Sequence, residues 1–412
     1  MNSPEVARHP QERSILAWMS LLIGINQLGF GAVIPVLPLY AQSFDVTQAA
    51  IGATVAVYGV ARLITAMPAG RIADLLGRRS ALAIGGIVSA AGNLWCASAG
   101  SYPELVAARF VAGAGAGLTL TAGMIVLADI TTVARRGRVM AIYQGVFIFS
   151  VGIGPFPGGW LAERYGLDVP FLIYGLASIG AAIIGWLGVR ETRPATVAPE
   201  EEFGASSAEP WLSQLRTILA SVGFRLAAAV SFINAVARTG ALFSIIPVIG
   251  ATRLELSATQ IGMSMAIGSF AGLLLTWPGG MMVDYFGRKA VIVPTTIVAG
   301  LAFFVYGLAP SFGWFVLASV IWGVASSMAG AAPAAYAADV APQTHAATGM
   351  STYRTLSDVG YVVGPIALGL VADTAGLEAA VFTASGLLIG VAVLFTFGAP
   401  ETHAGRKQRS VD

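Results

Sequence analysis

Apolar residues in this chain fall into long runs, and the charged residues collect in the short stretches between them. A helix needs about 20 apolar residues to cross the hydrocarbon core of a bilayer. By that measure the sequence predicts twelve spans, near residues 15–40, 47–70, 80–99, 103–127, 138–163, 168–189, 217–249, 257–282, 289–309, 312–338, 346–372 and 377–399. An even number of spans puts both termini on one side. The stretch from Arg190 to Pro210 is the only one rich in Pro, Glu and Ser, and it divides the runs six and six, as a linker would. The expected organisation is a six-helix bundle over 1–189, a linker over 190–215 and a second six-helix bundle over 216–412 with a short tail.

The two halves repeat one another. Gly70, Asp74, Gly77, Arg78 and Arg79 form a loop of the pattern G-x-x-x-D-x-x-G-R-[KR], which returns as Gly280, Asp284, Gly287, Arg288 and Lys289, 210 positions later. At the same offset Pro68 matches Pro278, Asp129 matches Asp339, Tyr143 matches Tyr353, Gly154-Pro155 matches Gly364-Pro365, and Glu191-Thr192 matches Glu401-Thr402. Each copy of the loop ends one span and opens the next, so it predicts a tight basic turn in which glycine permits close backbone approach.

Composition agrees with a membrane location. Of 412 residues 56% are hydrophobic and 11% charged, and the mean hydropathy is +0.77, too few charges to coat a water-soluble surface of that size. The net charge of +2 suggests neither nucleic-acid binding nor an acidic soluble partner. Cys96 is the single cysteine, and His9, His345 and His403 are scattered, so the sequence offers no disulfide, metal or haem site and implies no cofactor. No nucleophile-base pair or phosphate-cradling loop is visible, which argues against an enzyme. The first run is longer than the core of a signal peptide, about 7–15 residues, and is expected to remain as a span.

Basic residues set the orientation. They concentrate at Arg8 and Arg13, in the first loop, at Arg135, Arg136 and Arg138, around the linker, in the second loop and in the C-terminal tail, whereas only Arg164 and Arg253 fall in loops on the other side. The positive-inside rule then predicts cytoplasmic termini and a cytoplasmic linker.

The paired loops resemble the signature loop of the major facilitator superfamily, and further motifs are similar to its twelve-span drug:proton antiporters. Span 1 carries Leu28-Gly29 and Pro35-Val36-x-Pro38, span 4 carries Arg109 followed by Gly113 and Gly115, and span 5 carries Gly154-Pro155-x-x-Gly158-Gly159. The resemblance implies two six-helix bundles, alternating access, a monomer in the cytoplasmic membrane, and antiport of a small molecule against protons. It implies a gating cluster in which Asp129 pairs with Arg78 and Asp339 with Arg288, beside Asp74 and Asp284. It also implies a proton-coupling role for Arg109, for which a purely structural arginine is the alternative, and a kink and leak barrier for the glycine-proline motif of span 5.

Charges inside spans are costly and mark function by default. They are Arg62, Arg109, Arg238, Arg354 and Asp358. Arg354 and Asp358 are four apart and share a helix face, and Asp358 falls about 18 Å into its span, near the bilayer midplane. Burial disfavours a charged carboxylate and a neighbouring guanidinium favours it, so Asp358 reads either as a proton carrier or as half of a fixed salt bridge. Span 1 lacks an acidic residue and offers Asn26 instead. Four arginines against one aspartate describe a positive cavity that suits organic anions or neutral polarisable compounds better than lipophilic cations. Asn26, Phe30, Tyr58, Gln144, Asn234, Tyr353 and Tyr361 are its candidate lining. Drug efflux is therefore the leading expectation, with export of an organic anion, sugar or other metabolite as the alternative.

Overall fold

A computed structural model of the chain describes residues 4–131, 133–192, 210–330 and 332–402. Most of the linker, the C-terminal tail and the side chain of Asp284 lie outside the described residues. Twelve helices long and apolar enough to cross a membrane are present: Arg13–Val33, Gln48–Ala66, Arg78–Ala97, Tyr102–Ile130, Arg138–Tyr165, Val169–Leu187, Val222–Arg253, Ala258–Val283, Arg288–Leu308, Phe312–Val340, Thr348–Ala375 and Leu377–Gly398. They are called spans 1 to 12 below, and no strand occurs among the described residues.

The spans form two compact units. One comprises Met1–Val197 with Gly250–Ala266, the other Ala198–Ile249 with Ile267–Asp412. The sequence expectation assigned 250–266 to the second bundle, whereas its packing joins it to the first unit. There a side chain at Gly159 would collide with the backbone of Ala258, and one at Gly262 with the carbonyl of Pro155. The Glu163 carboxylate accepts from the Thr259 amide at 3.1 Å. Small residues are what let two helix backbones approach this closely in a bilayer.

Proline breaks the spans where the sequence leads one to look, and the local hydrogen bonding explains each break. The first helix ends at Val33, and a six-residue helix resumes at Leu37–Gln42. Pro35 has no amide to give the Gly31 carbonyl, which is taken by Ile34 at 3.2 Å in a tighter turn. The predicted single span over 15–40 is thus two pieces. In span 5 the helix stops at Ile153 and restarts at Pro155. Pro155 leaves the Val151 carbonyl free of its helical partner, and that oxygen sits 2.5 Å from where a side chain on Gly31 would begin.

The second unit solves the same problem with a side chain. Pro365 frees the carbonyl of Tyr361, and the Thr239 hydroxyl donates to it at 3.0 Å. Thr239 reaches it from Ala237–Ile245, nine residues of π-helix inside span 7. The sequence pattern did not foretell this widened turn.

Gly158 is the tightest contact between spans 1 and 5, because a side chain there would overlap the carbonyl of Ala32. Backbone cannot swing aside as a flexible side chain can. Gly158→Val is expected to destabilise the protein by about 1–3 kcal/mol or more, read as a lower melting temperature in detergent. Gly180→Ala serves as the control, since nothing lies within 4 Å of its added carbon, and its melting temperature is expected to stay at the wild-type value.

Candidate functional site

Two groups of polar residues stand out against the apolar spans. The first is built on the loop that joins spans 2 and 3. Gly77 adopts φ +92°, a conformation glycine alone takes without strain, and this turn starts the helix Arg78–Ala97. The Arg78 guanidinium donates through Nη1 to Asp74 Oδ1 at 2.7 Å and to the Ala73 carbonyl at 3.1 Å, and through Nε to Asp129 Oδ2 at 3.0 Å. Its side chain is 9% exposed, that of Asp129 20% and that of Asp74 53%. The Asp129 bond therefore carries most of the stabilisation, about 1.5–3 kcal/mol for a charge-assisted bond shielded from water, while the exposed Asp74 contributes little.

A residue pair that sequence reasoning matched only as a repeat completes this cluster. Glu191, at the end of span 6, accepts from the backbone amides of Arg78 at 2.9 Å and Arg79 at 3.3 Å. It thereby caps the N-terminus of span 3 with negative charge. Its carboxylate occupies the space a side chain at Gly77 would need. The Thr192 hydroxyl donates to Asp129 at 3.0 Å, so spans 2, 3, 4 and 6 meet in one knot. The signal was the recurrence of Glu-Thr at residues 401 and 402.

The second loop repeats the plan with looser geometry. Gly287 has φ +95°, and Arg288 Nε lies 3.1 Å from Asp339 Oδ2 without its N–H being aimed at it. Thr402 donates to Asp339 at 3.1 Å. Lys289 donates to the Ala399 carbonyl at 2.7 Å and Tyr336 to that of Pro400 at 2.7 Å, tying the end of span 12 to spans 9 and 10. Gly70 and Gly280 have nothing within 4 Å of an added carbon, so their role in the pattern is not close packing.

The second group lies within the spans. Arg109 is 2% exposed. Its guanidinium carbon sits 4.3 Å over the ring of Tyr58, Nε donates to the Thr54 carbonyl at 3.4 Å, and Nη1 has no partner. Its charge is met by an aromatic face, a contact of about 2 kcal/mol when desolvated, and by a carbonyl, with no carboxylate in ion-pairing range among the described residues. Phe30 stacks on Tyr58, with ring centroids 5.4 Å apart. The glycines that follow Arg109 explain its placement. Side chains at Gly113 and Gly117 would strike the backbone of span 2 at Tyr58 and Arg62, and one at Gly115 would strike span 3 at Ser89.

Of the remaining candidates, Asn26 and Tyr58 are buried, at 0% and 3% exposure, and Asn26 accepts from Gln27 at 3.2 Å. Arg62, Asn234, Tyr353 and Tyr361 are half-buried, and Gln144 and Arg238 are exposed. Asn234 is occupied with the Val230 carbonyl at 2.8 Å, and Arg238 rides on the π-helix of span 7. Tyr353, Arg354 and Asp358 line one cavity of about 540 Å³ with Ala334, Met350, Ser351 and Ser357. Although they share this wall, Arg354 and Asp358 form no ion pair there. Asp358 is the thirteenth residue of the thirty-residue helix Ala346–Ala375, whereas the other acidic residues of the spans stand at their ends.

The sequence model of the Major Facilitator Superfamily matches residues 19–257 and 227–411. The chain belongs to this family of transporters. Relatives agree with that assignment over nearly the whole length. The chain is 25% identical over 364 residues to an uncharacterized transporter of the same type from Methanocaldococcus jannaschii, covering 85% of this chain and 89% of that one. It is 22% identical over 371 residues to the quinolone resistance protein NorA of Staphylococcus aureus, covering 89% and 92%. Among solved structures, a D-xylose-proton symporter superposes with a TM-score of 0.73 at 16% identity, covering 95% and 99%. The human organic anion transporter MFSD10 does so with 0.65 at 19%, covering 93% and 99%. The fold is thus the twelve-helix major facilitator fold, and the protein is a multi-pass membrane transporter of a small molecule rather than an enzyme.

Proposed function

We propose that this transporter exports small amphipathic molecules, drugs among them, in exchange for protons by alternating access, and that it acts as a monomer in the cell membrane with both termini in the cytoplasm. The observation that carries the reading is Asp358. It is a mid-span carboxylate on a cavity wall beside Arg354 and Tyr353 with no ion-pair partner among the described residues. A carboxylate free of a fixed partner can take up and give back a proton, which a locked salt bridge cannot. The matched resistance protein is named for quinolones, which supports drug-like cargo and the outward direction. The signature-loop knots, Asp74, Arg78 and Asp129 in one half and Arg288 and Asp339 in the other, are the gate in this reading. Arg109 is a fixed cation that shapes the first unit and biases coupling electrostatically.

The test is accumulation of a lipophilic fluorescent dye in cells that express the chain. Accumulation is expected to fall severalfold relative to empty-vector cells and to recover when a protonophore dissipates the gradient. Unchanged accumulation across a panel of cationic and neutral dyes would remove the drug-export reading. A second reading, export of an organic anion, is favoured by Arg109, whose buried charge has no ion-pairing carboxylate among the described residues. It becomes the better account if anions alone are transported.

A further inference from the structure

We infer that the groove between spans 3 and 6 is a binding site for one anionic phospholipid in the leaflet at the signature-loop face. The groove has a volume of about 660 Å³. It exists because small residues let the two backbones touch, a side chain at Gly86 colliding with Ala182. Ala83 and Ala182 make its floor, and Ile84, Ile87, Ile179 and Ile183 make its walls. Ile87 is 59% and Ile183 51% exposed, so this apolar trough opens outward, to the hydrocarbon of a bilayer, and matches an acyl chain in chemistry.

The end of the groove at the signature loop has a different character. Ser80 and Trp186 line it there, and the Arg79 guanidinium lies 4.3 Å over the Trp186 ring. Tryptophan near the end of a span is enriched at the headgroup level of a bilayer. Arg79 differs from its neighbour Arg78, whose charge is consumed by Asp74 and Asp129. It forms no ion pair among the described residues, and its buried Nε has no hydrogen-bond partner. Glu191 accepts from its backbone amide at 3.3 Å. Arg190, exposed at the end of span 6, adds a second cation three residues beyond the groove-lining Leu187. A partly exposed guanidinium with no ion pair among the described residues, at the mouth of an apolar trough, is complementary to a phosphate that carries acyl chains.

The other half of the chain lacks the arrangement. At the repeat offset Lys289 stands for Arg79, but its ammonium is spent on the Ala399 carbonyl at 2.7 Å. Thr396 stands where Trp186 would be.

The experiment is native mass spectrometry of the detergent-purified chain after exchange into equimolar phosphatidylglycerol and phosphatidylcholine. One phosphatidylglycerol is expected to be retained with about fivefold preference, and Arg79→Gln is expected to bring the two lipids to parity. Equal retention by the wild-type chain overturns the inference, as does an undiminished preference in Arg79→Gln. A second readout does not depend on that variant. Phosphatidylglycerol brominated on its acyl chains is expected to quench tryptophan fluorescence more than brominated phosphatidylcholine does, and Trp186→Phe removes the difference. A difference that survives Trp186→Phe places the lipid elsewhere and rejects the groove.

Discussion

Arg78→Gln is expected to abolish transport and to lower the melting temperature, because Arg78 is the cation that holds Asp74 and Asp129 together in a knot that joins four spans. Its loss leaves Asp129 with the Thr192 hydroxyl alone and deprives both Asp74 and the Ala73 carbonyl of their donor. Leaving a shielded carboxylate without its charge-assisted bond costs about 1–3 kcal/mol. If the knot forms in one conformational state and opens in the other, the same energy shifts the balance between states by about 5–150-fold, enough to stall an alternating cycle. Asp74→Asn separates gating from stability. Asp74 is half-exposed and contributes little to the fold, so this variant is expected at normal levels in the membrane with transport lost. Full activity in Asp74→Asn would show that the cluster is a structural ion pair and not a gate. Uptake or efflux assays normalised to membrane-inserted protein give both answers.

Asp358→Asn is the second large effect. The amide keeps the shape and polarity of the side chain and cannot carry a proton at physiological pH. The variant is expected to fold and bind cargo while losing movement driven by the proton gradient, by about tenfold or more, since no other acidic residue lies in the middle of a span to take over. Arg354→Gln then distinguishes the two sequence-level readings of Asp358. With no ion pair present, Arg354→Gln is expected to leave the melting temperature near wild type and to change the pH dependence of transport instead. A melting temperature that drops as far as that of Arg78→Gln would mark a fixed structural salt bridge.

Much of this architecture was legible because its signals are local. Twelve apolar runs, two basic loops at a constant offset and glycine at Gly77 and Gly287 each specify a helix or a turn without reference to distant residues. The glycines after Arg109 and in span 5 are legible as motifs, though not which neighbour each one meets. What sequence could not supply depends on how spans are set against each other. The π-helix at Ala237–Ile245 has no periodic signature, and its Thr239 finds a purpose only beside the carbonyl that Pro365 frees. Pro35 and Pro38 each remove a helical donor, but whether span 1 bends or breaks depends on Ile34 capturing the Gly31 carbonyl. Asn26 and Tyr58 were expected to face a cavity and are buried. A polar residue in an apolar span looks the same in sequence whether it meets solvent or a neighbouring span. The capping role of Glu191 was hidden for a related reason, since its partners lie more than a hundred residues away.

The measurement that bears most directly on proton-coupled export uses inverted membrane vesicles with an imposed, inside-acid pH gradient, wild type beside Asp358→Asn. Lipophilic cations, neutral drugs and organic anions are added in turn while the gradient is followed with a pH-sensitive dye. The expected result is collapse of the gradient by cationic or neutral amphipathic drugs in wild-type vesicles and no response in Asp358→Asn. Collapse by organic anions alone, or an equal response in both sets of vesicles, would contradict the account.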